Sequence, residues 1–161
     1  MRAHVLKRLS KEQKGFTLIE LLAVIVILGI IAAIAVPMIG NIIDKSKKDS
    51  DIAALKQIYD ASRLYVTTEA NGDFKPSTTT DLTVSISELQ SKGFLDASIV
   101  VPSTKDKISG GNVVFQHSDG ALLYISITTG SPTAVTKYYK GSDIIAGNRN
   151  AVSLTSPPTT P

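Results

Sequence analysis

Lys14-Gly15-Phe16-Thr17-Leu18-Ile19-Glu20 decides how this chain is read. Before it stands a basic lead-in, and after it a long apolar run. Residues 1–15 hold Arg2, Lys7, Arg8, Lys11 and Lys14 against the single acid Glu12, a net charge of +4. From Phe16 to Gly40 there are 25 residues, and Glu20 is the only charged one. About 20 apolar residues suffice to cross a bilayer as a helix. The positive flank keeps the N-terminus cytoplasmic, so the chain beyond the run lies outside. Lys45, Lys47 and Lys48 on the far side weaken this contrast without cancelling it. An ionised carboxylate at membrane depth is costly and calls for a partner.

The remaining composition narrows the function classes. The chain has 161 residues and no cysteine, which excludes a disulfide framework and thiolate metal sites. Its formal charge of +3 comes from the first 15 residues, and without them the balance is −1. General nucleic-acid binding through a basic surface therefore finds no support. Nucleic acid stays an open but unsupported partner.

Three readings fit the apolar run. It can be a permanent single-pass anchor. It can be a secretory signal cut after Ala33-Ile34-Ala35, although that signal's apolar region is normally shorter and free of acids. Or the leader can be removed between Gly15 and Phe16 with the run retained. The residues alone leave all three open.

Gly15-Phe16-Thr17-Leu18-Ile19-Glu20-Leu21-Leu22, after Lys14 and a short basic leader, resembles the class III signal of type IV pilins. Gly29 and Pro37 also match the type IVa-like pattern, and the resemblance covers about residues 11–40. It implies that a prepilin peptidase cuts after Gly15 and that the new N-terminus, Phe16, is N-methylated. Glycine before the cut lets the backbone approach a protease closely. Cleavage removes the +4 leader and leaves a cationic amine that Glu20 can pair with, on its own chain or a neighbour's. Glu20, Gly29 and Pro37 are thereby expected to be assembly residues, and Gly29–Pro37 the segment that unwinds in the filament. The implied partners are the membrane before assembly, copies of the chain itself, the processing peptidase, and an assembly platform with its motor. The implied location is a membrane precursor, then a surface filament serving motility, adhesion or DNA uptake. A pseudopilin of a secretion or competence machine is the alternative, and a membrane-anchored binding domain is another.

The predicted fold is α+β: one helix from about Phe16 to Glu69, roughly 80 Å at 1.5 Å per residue, with a small antiparallel sheet on its C-terminal half. Residues 1–15 form the leader, 16–40 the protruding apolar half, 41–70 the amphipathic half, 71–150 the globular part and 151–161 a disordered Ser/Thr/Pro tail. Ile52, Leu55, Ile58 or Tyr59, Ser62, and Tyr65 or Val66 repeat with helical spacing and mark the packed stripe. Asp44–Lys48, Lys45–Asp49 and Lys47–Asp51 stand four apart and are expected to neutralise an exposed face. Asn71-Gly72 should end the helix. Ile86–Lys92 reads as a short helix capped by Ser85 or Ser87 and stopped by Gly93, with Phe94 and Leu95 in the core. Asn112–His117 and Ala121–Thr128 flank the turn Ser118-Asp119-Gly120, and Ala134–Lys140 is the third strand. In the second strand Leu123, Ile125 and Ile127 are expected to face inward.

No catalytic residue, cofactor or metal site is predicted. His117 is the only histidine past the leader and is read as structural; Asp96, Asp106, Asp119 and Asp143 are too scattered for a calcium site. Many Gram-negative pilins close the distal region with a disulfide. Without cysteine this chain cannot, which points to a Gram-positive or otherwise cysteine-poor producer.

Overall fold

The computed structural model describes residues 17–75, 77–130 and 133–158. The first element, α1, runs from Leu18 to Glu69 as 52 residues of unbroken helix with Pro37 inside it. The expected start at Phe16 lies outside the described residues. The end falls where the sequence places it. Asn71 and Gly72 take positive φ of 54° and 75°, and the Gly72 amide donates back to the Val66 carbonyl at 3.0 Å. This left-handed closure satisfies carbonyls that the last turn leaves without partners.

Two compact units divide the chain after Ile42. In the first, the large apolar side chains from Leu18 to Ile42 are each at least 45% exposed. It contains the only helical stretch among the described residues long and apolar enough to cross a membrane. Such a surface needs lipid or other helices around it.

The second unit packs the rest of α1 on a sheet. Strands β1 (Leu82–Ser85), β2 (Ile108–Phe115), β3 (Leu122–Thr129) and β4 (Val135–Lys140) lie in that order, every neighbouring pair antiparallel. Helix α2 (Ile86–Ser91) follows β1, and α3 (Gly141–Ala146) follows β4. Ile52, Leu55, Ile58, Ser62 and Val66 form the buried stripe of α1, as the helical spacing predicts, and Ala61 joins them. They share one core with Phe115, Ile125 and Ile144, among others. Ser62 is tolerated there because its hydroxyl donates to the Tyr59 carbonyl at 2.7 Å.

The structure adds two elements, starts β2 at Ile108 where Asn112 was expected, and turns one side chain out of the core. β1 was not expected: no element is predicted between Asn71-Gly72 and the short helix at Ile86, apart from Ser85 as its cap. Only four residues long and following a Ser/Thr run, it carries too little alternation to stand out, and pairing with β2 fixes it. α3 was not expected because a glycine opens it. Gly141 is needed there: a Cβ would stand 1.9 Å from the Leu122 carbonyl oxygen. In β3, Val114 pairs with Tyr124 but Phe115 with Leu122, so Leu123 is the extra residue of a bulge. Leu122 is therefore buried in place of Leu123, which stays half-exposed, while Ile125 and Ile127 are buried as expected.

Local signals hold elsewhere. Ser85 caps α2, its hydroxyl accepting from the Glu88 amide at 3.1 Å; the helix closes one residue earlier than expected, with Gly93 at φ 78°. Leu95 is buried, and Phe94 stacks edge-on to Tyr65 at 5.5 Å. The β2–β3 turn is held by the Asp119 carboxylate, which accepts from the Ala121 amide at 2.9 Å, and by Gly120 at φ 73°. In the segment from Ala151, Leu154 exchanges two backbone hydrogen bonds with Tyr138, of 3.1 and 2.8 Å, and so lies against the edge strand β4.

Candidate functional site

Gly15 and Phe16, where processing is expected, lie outside the described residues, and the candidate site is visible from Thr17 onward. Thr17 is the N-cap of α1, with its carbonyl accepting from the Leu21 amide at 3.2 Å. The Glu20 carboxylate turns back onto it. Glu20 Oε2 accepts from the Thr17 backbone amide and from the Thr17 hydroxyl, both at 2.9 Å. The Thr17 Oγ1 in turn accepts from the Glu20 amide at 3.3 Å. This is a reciprocal capping box, in which a Thr and a Glu three residues later satisfy each other's backbone donors. The helix dipole also favours a carboxylate in the first turn. Among the described residues Oε1 has no hydrogen-bond partner.

The sequence reading gives Glu20 an amine as its partner, and the structure adds Thr17. The signal was present as Thr17-Leu18-Ile19-Glu20 ahead of an apolar run, the pattern that opens a helix. One carboxylate thus has two possible duties, capping its own helix and meeting a cation. Replacing Thr17 by Val removes the capping hydroxyl and keeps the shape. Amide exchange of residues 18–20 in detergent is expected to accelerate about fivefold, the effect of losing an average cap. Unchanged exchange would mean that the box contributes nothing to the helix start.

Gly29 and Pro37 stand eight residues apart on the same helix, roughly 12 Å along its axis. At Gly29 a Cβ would meet nothing within 4 Å, so packing inside one chain does not require glycine there. Pro37 lacks the amide that an interior helical position would donate. The segment expected to unwind in a filament is helical in the single chain.

Polar groups of the second unit are engaged with one another, some across distant segments. His117 Nδ1 lies 2.7 Å from Asp81 Oδ1, which also accepts from the His117 amide at 2.9 Å. These bonds hold the Asp81 carboxyl below the usual carboxylate range. They tie the entry to β1 to the exit of β2. Asp96, Asp119 and Asp143 each accept from groups within five residues. No cluster of three or more metal-ligating side chains occurs among the described residues.

The lysine-rich stretch of α1 differs from the expectation. None of Asp44–Lys48, Lys45–Asp49 or Lys47–Asp51 forms an ion pair among the described residues. Asp49 instead meets Arg149 at 3.2 Å, and Asp51 accepts from the Ser103 amide at 2.9 Å. Exposed pairs four apart on a helix are worth only a few tenths of a kcal/mol, too little to hold Asp49 or Asp51 against partners from the loops.

Residues 10–36 match the Prokaryotic N-terminal methylation motif. The chain is 46% identical over 68 residues to the type II secretion system core protein G of Dickeya chrysanthemi, covering 38% of this chain and 44% of that protein. It is 46% identical over 71 residues to the core protein G of Aeromonas hydrophila, covering 40% and 50%. With the type IV major alpha-pilin of Moraxella bovis it shares 51% identity over 53 residues, covering 31% and 33%. The chain thus spans half or less of the length of these curated relatives. No solved structure matches it significantly. The chain carries the N-terminal methylation motif and is homologous, over the stretches aligned, to type IV pilins and to core protein G of type II secretion systems.

Proposed function

We propose that this chain is the structural subunit of a type IV pilus. In this reading a prepilin peptidase cuts between Gly15 and Phe16 and Phe16 is N-methylated. The subunit then leaves the membrane through an assembly platform and its motor and joins a surface filament by its first helix. The observation that carries the reading is the methylation motif on residues 10–36 running directly into a helix whose apolar side chains have no cover in the chain. Before assembly, lipid covers them; in the filament, other copies of the same helix do. The Glu20 Oε1 is available to the Phe16 amine of a neighbour while Oε2 stays with Thr17. The role is structural, and no residue is assigned to catalysis.

The pseudopilin reading has one observation in its favour: the relatives named core protein G belong to type II secretion systems. In that case the filament stays short and yields nothing to shearing. The test is processing and shedding together. Gly15→Val puts a branched side chain at the cut, and the precursor is expected to accumulate with its leader while sheared filaments vanish. Cleaved product from this variant would overturn the assigned cut. Normal cleavage of the wild-type chain with no sheared filament at any expression level would favour the pseudopilin.

A further inference from the structure

Nine charged residues of α1 form no ion pair among the described residues, and four of them share a spacing. Asp44 and Lys48 stand four apart, as do Lys56 and Asp60, with the order of signs reversed. Their separations are equal: Asp44 to Lys56 and Lys48 to Asp60 are each 12 residues, about 18 Å along a helix. Neither intrahelical pair closes to salt-bridge distance, although each has the spacing to do so.

The two pairs lie on different faces, about 120° apart around the helix. Asp44, Lys48 and Ile52 follow one another every fourth residue, so the first two extend the buried stripe into a region where it is exposed. Lys56 and Asp60 edge an open groove of about 520 Å³ on the side of α1 turned away from that stripe. Ala53, and Ala61 at the margin with the buried stripe, keep the groove shallow along the helix, and Leu64, 53% exposed, and Phe94 supply its apolar end. Small residues in such a position let a second helix come close, its ridge filling the groove.

We propose that this groove receives the Asp44–Lys48 turn of a second copy of the chain. The two helices run parallel, displaced by 12 residues, with Asp44 against Lys56 and Lys48 against Asp60. The inference rests on the filament reading above and gives it a register. Charge complementarity names the occupant: the same displacement satisfies both pairs, and it sets no like charges opposite each other. Lys45 then meets Gln57. In parallel helices related by translation, the groove side of one faces the opposite side of the next, and that side carries Asp44 and Lys48. Because a repeated contact of this kind is head-to-tail, it propagates along a filament instead of closing a dimer.

The absence of cysteine from the chain makes the register directly testable. In Lys48→Cys/Asp60→Cys the two thiols of one chain are about 18 Å apart along α1, far beyond disulfide reach of roughly 7 Å between Cα atoms. Any disulfide must therefore join two copies. Mild oxidation of sheared filaments is expected to give a ladder of covalent multimers. Abundant filaments without a ladder would overturn the register and leave the filament reading intact. Loss of filaments from wild-type cells would instead defeat the filament reading itself. Should the double cysteine variant not assemble, charge reversal decides. Lys48→Asp and Asp60→Lys alone are each expected to lower filament yield about tenfold through facing like charges. The two combined in one chain should return it to near the wild-type level, and a double variant no better than the singles would refute the pairing.

Discussion

Glu20→Ala is expected to leave cleavage after Gly15 intact and to reduce sheared filament by about a hundredfold or more. Removing one partner of a charge pair in a low-dielectric core strands the other, which is strongly destabilising. In the proposed filament the stranded group is the Phe16 amine that cleavage after Gly15 would create. The structure makes a sharper comparison available, because Glu20 also caps its helix through Thr17. Glu20→Gln keeps an oxygen able to accept from Thr17 but has no charge. Loss of filaments in both variants assigns assembly to the charge. A glutamine variant that assembles normally would assign it to the cap and sink the pairing with the amine. Western blotting of precursor and mature chain, beside filament yield, separates processing from assembly.

The second large effect concerns the sheet. Gly111 lies in β2 opposite Ile127 with φ of 130°, and a Cβ there would stand 2.1 Å from the Ser126 carbonyl oxygen. The obstacle is backbone, so no side chain can rotate away. Gly111→Ala combines a backbone conformation that L side chains rarely adopt with a clash at the centre of the sheet, together about 3–5 kcal/mol. For a domain of this size that means a fall in Tm of roughly 15 °C or more. Gly110→Ala is the control, because at Gly110 a Cβ meets nothing within 4 Å. Thermal unfolding of the mature chain in detergent, followed by the far-ultraviolet signal of the sheet, distinguishes them. Equal melting of the two variants would mean that the β2–β3 contact is looser than the structure places it.

Much of this architecture was legible because single residues decide it. The apolar run from Phe16 needs no partner to be recognised, and the left-handed pair Asn71-Gly72 stops the helix by backbone geometry alone. The stripe from Ile52 to Val66 follows from the helical repeat. What the sequence hid depends on contacts between distant residues. Gly141 reads locally as a stop, yet it opens α3 because the chain passes against Leu122. Strict alternation pointed Leu123 inward, but a bulge that exists only in the pairing with β2 turned Leu122 in instead. Asp49 has an evident partner four residues back in Lys45 and is held by Arg149, a hundred positions away. At the candidate site the difficulty was of another kind. The Thr17–Glu20 box was written in the sequence, but the cost of a carboxylate in an apolar run pointed to a missing cation and away from the neighbour three residues before it.

Where the mature chain begins decides between a filament subunit and a plain anchor or secreted domain. Mass spectrometry of the N-terminal peptide in a sheared cell-surface fraction reads that directly. The expected peptide starts at Phe16 and carries one methyl group on its amine. A peptide starting at Met1 on membrane-retained protein, or one starting at Val36, would contradict the filament reading.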